Sequence, residues 1–176
     1  MSATLKPLTV DEFLAWERAQ PTRYEFDGIQ PVAMTGGSFA DARTITRLTT
    51  ALNNRLQPPC EAIGPELKVE TPGRIRYPDA SVVCSAPADD SDIVTPTVVF
   101  EVLSPSTALT DRRVKAAEYA AVPAIQAYVM LETDRPGITV RRRSTGWEAE
   151  TVSGLDADLP LPEIGVTIPL AAIYVR

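Results

Sequence analysis

Three stretches of the chain read as helices from their apolar positions, caps and spacing. In Val10–Ala19, Phe13, Leu14 and Trp16 supply apolar contacts, Thr9 is placed to cap the first turn, and Pro21 stops the helix. Asp11 and Glu12 sit at the positive end of its dipole. Between Ala40 and Leu56 the stripe is Ile45, Leu48, Leu52 and Leu56, with Ser38 as cap after the Gly36-Gly37 break. A third helix is predicted over Ala108–Ala121, after a turn and cap at Ser104-Pro105-Ser106-Thr107. It carries Asp111, Lys115 and Tyr119 at i, i+4 and i+8, on one face.

Between these helices the period changes to that of strands. Arg23–Met34 reads as a hairpin with a two-residue turn at Asp27-Gly28, with Tyr24 and Phe26 on one face and Arg23 and Glu25 on the other. Two strands are expected over Cys60–Glu70 and Ile75–Cys84, joined at Thr71-Pro72-Gly73-Arg74. Thr97–Leu103 is almost wholly apolar and reads as a central strand buried on both faces. Ile125–Glu132 is another apolar strand, and Thr139–Arg143 pairs with Trp147–Val152 around Ser144-Thr145-Gly146. The tail, with Pro160, Pro162 and Pro169, is expected to be packed irregular chain ending in a helical turn. The order predicts a mixed α+β domain spanning residues 1–176, with a central sheet flanked by the two longer helices.

Composition narrows the chemistry. The chain has no histidine, so Ser-His-Asp triads, Cys-His dyads and HExxH zinc sites are excluded. Its two cysteines exclude a zinc ribbon. A metal held here is expected to be a hard ion such as Mg²⁺ or Mn²⁺. The net charge of −6 argues against a polybasic coat but leaves room for a local basic groove. No apolar run reaches the length of a membrane span and the N-terminus lacks a signal-peptide pattern, so the expected location is the cytoplasm, with no membrane partner.

Two acids then stand out. Glu101 interrupts the apolar central strand, where a carboxylate is costly unless paired or metal-bound. Asp79 follows a proline inside a predicted strand, which marks an edge or a bulge. On neighbouring strands the two can share one divalent cation. If the face carrying Lys115 overlooks the end of the sheet, an ammonium lies beside them, suited to stabilising an oxyanion or positioning a water. With Pro72-Gly73 as the turn, Asp79 falls opposite Glu66, a fourth acid near the metal. Cys60 then lies close to Cys84, as thiols that a cytosolic setting keeps reduced.

This set resembles the PD-(D/E)XK nuclease arrangement, with Leu103 where the tripeptide lysine usually stands and Lys115 in the variant position on the following helix. Further segments occur in a matching order: Arg23–Gly28, Met34-x-Gly36-Gly37-Ser38, Tyr77-Pro78-Asp79, Glu101–Thr107, Asp111, Lys115–Tyr119, Asp134-Arg135-Pro136 and Gly154-Leu155-Asp156. Together they resemble the Uma-two family of restriction-endonuclease-like nucleases over nearly the whole chain. The resemblance implies a restriction-endonuclease-like PD-(D/E)XK core and Mg²⁺-dependent hydrolysis of nucleic-acid phosphodiesters, most naturally those of DNA. It implies Asp79, Glu101 and the carbonyl of Val102 as metal ligands, Lys115 in place of the motif lysine, and Glu25 orienting water or a second metal. It also implies a homodimer. The chain departs from the family at Asp41, where members carry a histidine.

Taken singly, each residue has a plainer reading. Glu101 can be a strand-end acid paired with arginine, Asp79 a turn acid, Lys115 a solvated helix residue and Glu25 a surface hairpin acid. Tyr119 is expected to pack while its hydroxyl reaches a site acid. Arg141-Arg142-Arg143 is expected on a solvated edge strand, and Asp89, Asp90 and Asp92 in a solvated loop. The alternative to a working nuclease is a weak or inactive DNA-binding or protein-interaction module on the same fold.

Overall fold

The computed structural model describes residues 8–34, 36–87, 89, 91–103 and 111–175, with the side chains at 111 and 112 excepted. The first helix, α1 (Val10–Glu17), opens with a capping box between Thr9 and Glu12. The hairpin β1 (Tyr24–Phe26) and β2 (Pro31–Ala33) follows, closing at Phe26↔Pro31. Its connection is therefore a four-residue loop rather than the expected two-residue turn. In it Asp27 Oδ1 accepts the Ile29 and Gln30 N–H groups, and Gly28 adopts φ +90° against Gly73. Helix α2 (Phe39–Asn53) starts with a second capping box, Ser38 with Asp41. Asp41, at the family's histidine position, thus serves the helix end.

The two long strands expected over 60–84 are four short ones. They are β3 (Glu61–Ile63), β4 (Lys68–Thr71), β5 (Arg74–Arg76) and β6 (Ala80–Val83). Pro65 and Pro78 lie in the two interruptions, where a residue without an N–H cannot continue a ladder. The break sends the pairs to different sheets. β4 and β5 join β1, β2 and β7 (Ile93–Val94) in the order β2-β1-β5-β4-β7. β3 and β6 join β8 (Val98–Leu103), β9 (Ala127–Glu132), β10 (Gly137–Arg142) and β11 (Ala149–Ser153) in the order β11-β10-β9-β8-β6-β3.

The proline-rich tail is more regular than its composition predicts. β12 (Asp158–Leu161) and β13 (Val166–Pro169) form an antiparallel hairpin, and α4 (Leu170–Tyr174) follows. Each proline stands at a strand position or a turn that spares a central ladder. Cys60 and Cys84 meet where the register places them, across β3 and β6, joined as a disulfide rather than reduced.

The larger sheet is apolar on both faces, and β8 is buried along its whole length. Val98, Phe100 and Val102 face α2, α4 and the tail hairpin, whereas Val99 and Leu103 face Tyr119, Tyr128 and Met130. The smaller sheet packs Phe26 and Ile75 against Phe13 of α1, with Phe13 and Phe26 stacked at 5.0 Å. Arg141, Arg142 and Arg143 do not guard an edge, because β10 lies between β9 and β11. Arg142 is buried against Glu163, and Arg143 donates to the carbonyls of Ala120, Val122 and Ile125. These arginines tie the tail and a helix end to the sheet.

Candidate functional site

The period-2 alternation of β8 decides where Glu101 points. With Val98, Phe100 and Val102 committed to the α2 core, Glu101 shares the other face with Val99 and Leu103. That face lies under helix α3 (Ala116–Ala120), which continues a π-helical turn over Asp111–Lys115. The expected helix over 108–121 thus begins differently, and its cap at Ser106 lies outside the described residues. Lys115 is the last residue of the wide turn, a conformation that often marks functional positions. Its Nζ donates to Glu101 Oε1 at 3.0 Å, and the Tyr119 hydroxyl donates to the same oxygen at 3.1 Å. Glu101, Lys115 and Tyr119 are all buried.

Burial, and then the charge of Glu101, push the Tyr119 phenol well above its ordinary pKa. It stays protonated and remains a hydrogen-bond donor to the carboxylate. Its ring packs on Tyr128 at 5.1 Å, so the hydroxyl is held from below as well.

Asp79 comes from the segment that leaves one sheet for the other. Tyr77-Pro78-Asp79 runs from the end of β5 to the start of β6, and Ala80 pairs with Phe100. Continuing that antiparallel register by one residue sets Asp79 opposite Glu101, on the same face. Asp79 Oδ2 accepts the Val102 N–H at 2.7 Å, which draws the Val102 peptide beside it.

Glu25 enters from the smaller sheet. Phe26 pairs with Ile75, so the next pair outward is Glu25 with Arg76, on the face away from α1. Glu25 Oε2 accepts from Arg76 Nη1 at 3.0 Å, and Oε1 accepts the Tyr77 N–H at 3.1 Å and lies 3.4 Å from Lys115 Nζ. Arg76 meets Glu118 of α3 through two further bonds, Nε–Oε2 at 2.7 Å and Nη2–Oε1 at 2.8 Å. Burial opposes the Arg76 charge, but its bonds to Glu118 and the charge of Glu25 outweigh it and raise its pKa. Arg76 and Glu118 were not singled out in the sequence. The available signal was the alternation Arg74-Ile75-Arg76, which puts a guanidinium opposite Glu25, and the i, i+3 spacing of Lys115 and Glu118.

The structure therefore brings Asp79, Glu101, Lys115, Tyr119 and Glu25 together and leaves Glu66 out. Because β4 and β3 diverge after Pro65, Glu66 lies exposed and forms an ion pair with Arg23. Asp92 is not simply solvated either. It pairs with the buried Lys68, which also lies 3.0 Å from Glu17 Oε2.

Among the described residues, no group of three or more His, Cys, Asp or Glu side chains is arranged to hold a metal ion. Asp79 and Glu101 supply two carboxylates, and the adjoining Val102 peptide offers a carbonyl. An all-oxygen set of this size suits Mg²⁺ or Mn²⁺, which keep several waters and bind through one or two carboxylates plus substrate phosphate. It does not suit a structural zinc, which takes nitrogen and sulfur ligands.

Comparison with known proteins gives the family and the fold. The Uma2 (Uma-two) family, described as "Putative restriction endonuclease", matches residues 10–171. An uncharacterized protein of Synechocystis sp., slr1290, is 32% identical over 180 residues, covering 98% of this chain and 94% of its own length. A crystal structure from Anabaena variabilis, described as "a putative nuclease belonging to DUF820", superposes with a TM-score of 0.80 over 96% of this chain and 98% of that chain. At 19% identity, that likeness is one of fold. No helix among the described residues is long and apolar enough to cross a membrane. The fold is the mixed α+β, restriction-endonuclease-like one, the family match contains every strand and helix that builds the carboxylate site, and the chain belongs to the Uma2 family.

Proposed function

We propose that the protein is a Mg²⁺- or Mn²⁺-dependent endonuclease that hydrolyses phosphodiester bonds, with DNA as its substrate. The observation that carries this reading is the β6–β8 register, which continued by one residue sets Asp79 opposite Glu101, with Lys115 Nζ 3.0 Å from Glu101. Asp79, Glu101 and the Val102 carbonyl would hold the ion. When bound, the ion supplies an acidified water and neutralises charge on the scissile phosphate.

The chain's own residues do the rest. Tyr119 donates to Glu101 and fixes the orientation of its carboxylate. Lys115, between Glu101 and Glu25, presents ammonium protons to the attacking water or to a non-bridging phosphate oxygen. The attacking water gives up a proton to solvent as its oxygen bonds to phosphorus, the bond to the leaving sugar oxygen breaks, and that oxygen takes up a proton from solvent. The products are a phosphomonoester and a free hydroxyl. The reading includes pairing of two copies to reach both strands of a duplex, which light scattering on the protein in solution tests.

The experiment is cleavage of a mixed panel of duplex, branched and single-stranded substrates with Mg²⁺ or Mn²⁺, alongside calorimetric titration of Mn²⁺. Wild type is expected to cut and to bind Mn²⁺, and Asp79→Ala to do neither while remaining folded. Full cleavage by Asp79→Ala would sink the assignment. DNA binding with a steep salt slope but no metal requirement and no cutting would favour the inactive-module alternative.

A further inference from the structure

Burying an ion pair is costly, and an apolar pair of the same volume is often as stable or more so. The site nonetheless carries a buried pair that the hydrolysis steps do not use. Arg76 and Glu118 are 4% and 6% exposed and joined by two short bonds. Arg76 has one further bond, and it goes to Glu25 Oε2. The other Glu25 oxygen is divided between the Tyr77 N–H and Lys115. Arg74, half-exposed, reaches Glu118 Oε1 at 3.3 Å and the Asp27 carbonyl at 2.7 Å, so the cluster also holds the β1–β2 loop.

We infer that Arg76 and Glu118 are a positioning pair: they fix the Glu25 carboxylate, and through it the Lys115 ammonium, over Glu101. This rests on the nuclease reading of the same site. The geometry gives each member a separate task. Glu118 and Lys115 lie three residues apart on one helical segment, so the Arg76–Glu118 bonds set the rotation of the turn that carries Lys115. Glu25 offers the ammonium a second anion. Without that anion, the Lys115 ammonium would be drawn off the position it holds between the two carboxylates. Arg76, opposite Glu25 in the β1–β5 register, keeps that second anion from swinging away. Glu25 is thereby a positioning residue, acting on the reaction through Lys115.

The chain has three lysines, Lys6, Lys68 and Lys115, which makes the test direct. Lysine ammonium groups held by carboxylates give resolvable proton–nitrogen resonances, and Lys115→Arg assigns the one in question. Lys68, in a separate network, is the internal control for folding. In Glu118→Gln and Arg76→Met, the Lys115 resonance is expected to shift or broaden away while that of Lys68 stays in place. Arg76→Lys, which keeps the charge in the fold, is read in the same way if Arg76→Met does not fold. In cleavage assays kcat is expected to fall about 10- to 100-fold with KM within about two-fold, as for a displaced reacting group. Mn²⁺ affinity is expected to stay within about two-fold of wild type, since no metal ligand is touched. An unmoved Lys115 resonance in both Glu118→Gln and an Arg76 variant overturns the inference, as does a change confined to KM. If the resonance moves but wild type cuts nothing, the positioning holds and the nuclease reading is what fails.

Discussion

Among the described residues two lysines are buried, each set between two acids and beside a tyrosine. Lys68 lies between Glu17 and Asp92, and the Tyr77 hydroxyl donates to Glu17 at 2.8 Å. Lys115 lies between Glu101 and Glu25, and the Tyr119 hydroxyl donates to Glu101. The parts are the same, but their surroundings differ. The Lys68 set joins α1, β4 and the segment entering β7, and its Asp92 side chain is 53% exposed. The Lys115 set stands next to Asp79, which leads into the strand adjoining Glu101. A buried lysine among acids is therefore not in itself a sign of chemistry. What separates the two is a third carboxylate, Asp79, which the β6–β8 register sets opposite Glu101.

Exchanging the roles of the two lysines is the sharpest way to break that comparison. Lys115→Met is expected to lower cleavage by about 10²- to 10³-fold, the scale for losing a preorganised electrostatic donor. Lys68→Met is expected to leave kcat within about two-fold and to cost about 3 kcal/mol in urea denaturation, because it strands the buried Glu17. A result in the opposite sense would mean that the site has been assigned to the wrong lysine.

The tyrosines repeat the contrast at smaller scale. Tyr119→Phe removes one bond to Glu101 and is expected to reduce kcat about ten-fold, for about 1.4 kcal/mol. Tyr77→Phe is expected to cost about 1 kcal/mol of stability and no activity.

Alkaline titration sharpens the comparison further. Burial, and then the bond to Glu17, push the Tyr77 phenol from 10.0 up to about 12. The unfolded chain gives up this proton first, so the contribution to stability is complete below pH 10 and disappears as pH rises toward about 12. Lys68 acts in the same direction. Burial pulls its ammonium down, but its bonds to Asp92 and Glu17 hold it above the ordinary lysine value. Urea unfolding across that pH range should show the loss in wild type and a smaller one in Tyr77→Phe. The smallest effect is expected at Glu66→Ala, within about 0.5 kcal/mol and without change in cleavage, since its pair with Arg23 is exposed.

Much of this was legible in the chain because it rests on local rules. Thr9 and Ser38 do cap their helices, and the apolar run around Glu101 does form a doubly buried strand. The juxtaposition of Asp79 and Glu101 follows from two neighbouring strands and one proline. The failures are those of longer range. A turn at Pro72-Gly73 correctly sets the β4–β5 register, yet extending it to pair Glu66 with Asp79 crosses Pro78, where the chain changes sheet. Arg76 and Glu118 are 42 residues apart and meet only because β5 and α3 belong to the same packed corner. Arg142 looked like a guard on an edge strand, since the expected partner over 147–152 covers one side only, and nothing local announces that β9 will flank the other or that the tail hairpin will pack on it.

The parallel ladder between β8 and β9 has a consequence for the order in which the protein is made. Every charged group of the site lies between Glu25 and Glu118, but Glu101 takes its place in the ladder only against Met130. A nascent chain that has emerged as far as Tyr119 already carries all the acids and bases and can pair β6 with β8, yet lacks β9, the strand that flanks Glu101 on the other side. The reactive corner is written early in the message and completed late in synthesis, so an unfinished chain holds the ingredients of the site without its geometry.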